Sequence, residues 1–178
     1  MLATAMKALL AAATLAALSP VGGPGLAEDM KKPSAPDAIG QHMVAEALLT
    51  AHFIDAAREA GRSAEEINAV LASIAERTAL AEFWVTDGNG RVVHTNIEGS
   101  TFRFPTDPEA GTQAAPFAAL LDGSKAVVVQ GPRPRESDGR IFRYVAVAGV
   151  DEPRIVQVGM TGADLKRHER QCRPHHHH

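Results

Sequence analysis

The hydrophobic period of this chain changes once, at Glu82, and that change limits the folds open to it. Before it, apolar residues recur at three- and four-residue spacings: Ile39, Met43, Ala47, Ala51 and Ile54, with Val44, Leu48, Leu49 and Phe53 widening the stripe. That spacing predicts a helix over residues 37–60, stopped by Gly61 as glycine commonly stops helices. Ser63 with Glu66 reads as a capping box, and Ile67, Val70, Leu71 and Ile74 form a second apolar helix face. After Glu82 come short runs of β-branched and aromatic residues cut by Gly, Pro and Asp. Phe83-Trp84-Val85-Thr86, the turn Asp87-Gly88-Asn89-Gly90 and Arg91-Val92-Val93-His94-Thr95 predict a β-hairpin. A long loop over 97–116 and a short helix over 116–121 precede three more strands, at 125–130, 141–149 and 154–160. Gly131, Pro132 and Pro134 end the first of these, and a charged helix over 162–171 follows the last. The expectation is an α+β fold in which a long N-terminal helix packs on a five-stranded antiparallel sheet.

The first 27 residues read as a secretory leader. Lys7 supplies a positive charge, Ala8 to Leu18 is an unbroken apolar run, and Gly25-Leu26-Ala27 offers a small-x-small cleavage site before Glu28. The run falls well short of the roughly 20 apolar residues a spanning helix needs. A periplasmic or secreted protein is therefore expected, with a flexible lead-in over 28–36, one domain over 37–171 and a tail over 172–178. Cys172 is the single cysteine, so no internal disulfide is expected and the core must supply the stability. The formal net charge of −3 and an aromatic content of 4% oppose a phosphate-tracking or base-stacking surface, which makes nucleic acid an unsuitable partner.

The strand strings carry a family resemblance. Phe83-Trp84-Val85-Thr86-Asp87 with Gly88 and Gly90 resembles the first hairpin of the extracellular Cache domains of bacterial chemoreceptors. Phe142 to Asp151, running into Pro153-Arg154-Ile155-Val156-Gln157-Val158-Gly159, resembles their last two strands. Gln130, Pro134-Arg135 and Asp138-Gly139 also fit, so the resemblance spans roughly residues 40–165. It implies a single Cache domain, a PAS-like sheet with the long helix behind it. It also implies a pocket between the sheet and the segment joining its second and third strands, filled by an amino acid, carboxylate, amine or purine. In receptors a second membrane-spanning helix follows the last strand. Here the continuation is Lys166-Arg167-His168-Glu169-Arg170, which predicts a domain that either passes its signal to a separate partner, such as a membrane-bound signalling protein, or merely captures its ligand.

Within that frame Trp84, Phe102, Phe104 and Phe117 are the candidate apolar walls, with Gln130, Arg135 and Tyr144 as polar contacts. Core packing is the competing role for the aromatics. Arg103, Arg133, Arg135, Arg140 and Arg143 read as a basic cluster beside the pocket and favour an anionic ligand. His94 is placed facing either the pocket or solvent. A different reading makes the protein a metal carrier using His168, Cys172 and His175 of the tail, whose terminal histidines have the look of a purification tag. A third makes it a pocketless interaction module, dimerising through the stripe from Ile39 to Ile54. Enzyme signatures are missing: there is no G-x-S-x-G, phosphate loop or H-E-x-x-H. The absence of C-x-x-C-H excludes covalent c-type haem, and no cofactor is expected.

Overall fold

The computed structural model describes residues 35–171, with side chains from residue 38. The leader, most of the lead-in, Cys172 and the terminal histidines lie outside the described residues. Helix α1 runs Ala35–Glu59, two residues earlier than the periodicity suggests, because Pro36 sits in the first turn, where a missing N–H costs nothing. Its end is a Schellman motif: Gly61 takes φ +69°, its N–H donates to Arg58 O at 2.9 Å, and Arg62 N–H donates to Ala57 O at 3.0 Å. Helix α2, Ala64–Arg77, opens on the expected box, with Glu66 N–H donating to Ser63 Oγ at 3.2 Å and Ser63 N–H to Glu66 Oε2 at 2.8 Å.

Strands β1 (Leu80–Thr86) and β2 (Val92–Thr95) form the hairpin. A 3-10 helix, Ala115–Leu120, precedes β3 (Val127–Val129), β4 (Arg133–Pro134), β5 (Ile141–Ala148), β6 (Ile155–Thr161) and α3 (Gly162–Gln171). The sheet is antiparallel in the order β2-β1-β6-β5-β3, and β4 pairs with the other end of β5. Pro134 therefore does not terminate the pairing, as its type suggested. It lies on an interrupted edge strand, where proline needs no ladder partner.

Strand alternation divides the sheet into two faces. One carries Phe83, Val85, Val145, Val147, Val156 and Val158, and it buries Met43, Ala47, Ala51 and Ile54 of α1, Ile67 and Leu71 of α2, and Leu165 of α3. The stripe read as a possible dimer surface is thus spent on the chain's own sheet. Leu48 and Leu49, 41% and 71% exposed, point away from it, because single-residue steps of about 100° carry them past the buried face. The opposite face carries Val128, Phe142, Tyr144, Ala146 and Ile155 beneath Phe104, Phe117 and Leu120.

An ion-pair network ties α1 to the β5–β6 connection. Arg58 Nη1 reaches Asp151 Oδ2 at 2.5 Å and Glu152 Oε1 at 3.0 Å, and the buried Arg154 pairs with the same two carboxylates. Gly149 makes room for the Arg154 stem: a Cβ there would lie 2.2 Å from Arg154 Cγ. Among the described residues no helix is long and apolar enough to cross a membrane.

Candidate functional site

The face away from α1 holds a cavity of about 500 Å³. Its floor is the sheet, where register sets four side chains side by side. Trp84 lies opposite Gln157, and Tyr144 and Glu82 both lie opposite Gly159. The missing side chain at Gly159 is what lets the floor close: a Cβ would meet Tyr144 Cε1 at 2.6 Å and Glu82 Cβ at 3.3 Å. The Tyr144 ring lies across that gap and donates its hydroxyl to Glu82 Oε2 at 2.9 Å.

The roof is the connection between β2 and the 3-10 helix. Trp84, Phe102, Phe104 and Phe117 form an unbroken edge-to-face series with centroids 5.7, 5.0 and 6.2 Å apart. Phe117 is 1% exposed and Phe102 47%, so the series runs from the core to the mouth. The aromatics are therefore core and wall at once. Phe104 is fixed by the hairpin turn, its N–H donating to Gly90 O at 2.9 Å. Gly90, at φ +74°, has no room for a Cβ, which would lie 2.3 Å from Phe104 O.

The second lip is the β4–β5 turn, and it clasps the roof. Gln113 N–H donates to Glu136 Oε1 at 2.7 Å, and Glu136 N–H donates to Gln113 Oε1 at 3.3 Å. Gln130, the one residue of the seven-member ligand set that does not line the cavity, is buried behind this clasp and donates Nε2 to Gln113 O at 2.7 Å. It supports the wall. The other six, Trp84, Phe102, Phe104, Phe117, Arg135 and Tyr144, come together around the cavity.

Arg135 is heavily engaged. Its Nη1 pairs with Glu82, its Nε and Nη2 fork grips Asp138 at 3.0 and 2.5 Å, and its carbon centre lies 4.3 Å from the Phe142 ring centroid. The hydrogen bond from Arg135 lowers the Asp138 carboxyl to about 2, and Arg135 itself is held more firmly charged. Burial, followed by the Glu82 charge, raises the Tyr144 phenol, which stays a donor. Glu82, 5% exposed, thus accepts from Arg135, Tyr144 and Trp84 Nε1 (3.0 Å).

The basic cluster does not assemble as expected. Arg135 and Arg140 line the cavity, whereas Arg103 donates to Asn89 O on the hairpin turn and Arg133 is exposed on β4. Arg143 alternates with Phe142 and Tyr144, which puts it on the α1 face with Val145. His94, opposite Val85 in the register, is likewise buried on the helix side and lines neither the cavity nor the surface. Its imidazole is shifted down by burial and by the nearby Arg58 charge.

Sequence reasoning missed Glu82, Gln157 and Gly159. Gln157 carried a readable signal, a polar residue between Val156 and Val158 in an otherwise apolar strand. Of the three residues read as metal ligands, His168 lies half-buried on α3 and the other two are outside the described residues. Among the described residues no cluster of His, Cys, Asp and Glu suits a metal ion. Compared with family models and with characterised proteins, the sequence matches none.

Proposed function

We propose that this chain is an exported sensory domain of the Cache, PAS-like type. In this reading it captures a small metabolite without transforming it and reports the capture to a separate partner. The observation that carries the reading is the cavity itself. It lies on the sheet face opposite the long helix, under the β2–β3 connection, where the family resemblance implies a ligand site. Its size falls within the roughly 300–1,000 Å³ usual for small-molecule sites, and six residues named from the sequence line it. Aromatic walls supply contact area, and a few fixed polar groups on the sheet supply orientation. The roof is anchored at Phe104 and Gln113, so the exposed stretch over 106–112 is the part least held by the fold. A partner reads occupancy only if ligand favours one arrangement of that stretch over another.

Trp84 is the only tryptophan and lies in the cavity wall, so its fluorescence reports on the site directly. Titration with a panel of small metabolites, followed by thermal unfolding, tests the proposal. Ligand at a hundredfold its Kd adds about 2.7 kcal/mol of stability, and the same ligand is expected to change Trp84 emission. A stabilising ligand that leaves Trp84 emission unchanged places binding elsewhere and refutes the site. Export predicts an N-terminus at Glu28 in the mature protein, which sequencing of exported material checks.

A further inference from the structure

Among the described residues, the cavity wall holds a largely buried glutamine whose side-chain amide opens onto the cavity without a protein partner. Gln157 is 4% exposed and lines the cavity, and among the described residues none hydrogen-bonds its amide. Its strand neighbours Val156 and Val158 lie in the opposite core, and its cross-strand neighbours are Trp84 and the small Ala146. The amide therefore projects into open space beside an aromatic wall. An amide that faces a cavity and has no protein partner is left to bond whatever fills the cavity, water or ligand, which makes it a ready contact for an occupant. Gln113 Nε2, on the roof side of the same cavity, is a second buried donor without a partner.

Charge narrows the ligand further. Three carboxylates, Glu82, Glu136 and the Asp138 that grips Arg135, outnumber the guanidiniums of Arg135 and Arg140. An incoming carboxylate would face these acids while competing for an Arg135 already shared between two of them. An incoming ammonium would find Glu82 already accepting from three donors. The unfilled capacity is neutral and planar, an amide oxygen and an amide N–H₂ side by side. Such a group pairs bidentately with a ring edge that presents a donor next to an acceptor, as glutamine does with a base edge.

We propose that the ligand is a neutral planar ring bearing an amide-type edge, read by Gln157 and packed against Trp84 and Phe102, and not an anion. This rests on the binding-domain reading and deepens it. The test is calorimetric titration of the full chain with probes differing in charge: uracil and benzamide as neutral amide edges, benzoate and benzylamine as the charged counterparts. The neutral probes are expected to bind, with benzoate and benzylamine at least about tenfold weaker. Gln157→Met is expected to weaken the neutral probes by about tenfold while its unfolding midpoint stays level or rises, since it removes an unpartnered polar group. Gln157→Asn, which withdraws the amide by one methylene, is expected to weaken them as well. Tighter binding of either charged probe, or neutral affinity unchanged in both variants, overturns the ligand class and leaves the binding-domain reading standing. Unfolding midpoints that fall in both variants make Gln157 a structural residue and also overturn the class. Silence from every probe overturns the ligand class, and the binding-domain reading falls with it only when the wider metabolite panel leaves stability and Trp84 emission unchanged too.

Discussion

Replacing Gly159 by alanine tests the architecture of the cavity floor. In most strand interiors the change would stabilise, because glycine carries an entropic penalty of about 0.5–1 kcal/mol relative to alanine. Here the sign should reverse. The new Cβ would sit 2.6 Å from Tyr144 Cε1 and 2.9 Å from Cδ1, closer than carbon atoms approach, and a tight 3.3 Å from Glu82 Cβ. Overpacking of this kind costs about 1–3 kcal/mol. Moving the ring also withdraws the hydroxyl from Glu82 and leaves a buried carboxylate oxygen short of a donor, about 1–3 kcal/mol more. Net of the entropic gain, Gly159→Ala should cost about 2–4 kcal/mol. In urea, with slopes of about 1–3 kcal/mol per molar, the midpoint falls by about 1–2 M. Tyr144→Phe, which removes only the hydroxyl, should cost about 1–2 kcal/mol alone and much less on the Gly159→Ala background, where the bond is already lost. A Gly159→Ala protein as stable as the parent, or a Tyr144→Phe cost that adds in full, would refute the reasoning.

Other consequences are directly measurable. The His94 imidazole is shifted below its ordinary 6.5 in the folded state, so the unfolded chain takes up the proton first. Stability should therefore hold above about pH 6.5 and decline below it, down to the lowered folded value. His94→Leu should flatten that decline in urea melts between pH 7 and 5. In the α1 network, Arg154→Met should cost about 3 kcal/mol because the side chain is buried with both carboxylates on it, whereas the half-exposed Arg58→Met should cost under about 1 kcal/mol. Equal losses in chemical denaturation would contradict that ranking. Ser63→Ala should remove about 1 kcal/mol through the α2 cap, with Ser63→Gly recovering most of it.

Features that depend on local pattern were legible in the sequence: both N-terminal helices with their stop and cap, the hairpin at Asp87 to Gly90, and the aromatic wall residues. Features that depend on register were not. Glu82 looks like the polar margin of a strand, and only pairing with β6 brings it under Tyr144. Arg143 looks like its neighbouring arginines until alternation along β5 turns it to the helix side. Gly159 has no side chain to signal anything, and its role appears only once Tyr144 lies opposite. The arginine cluster failed for the same reason, since a one-residue step in a strand reverses the face.

The central strands are a wall one residue thick, and β6 has Gln157 on one side with Val156 and Val158 on the other. Because all three share one backbone, any twist of β6 that moved the amide would also move both valines against α1, so the two faces of the sheet are mechanically joined through that strand.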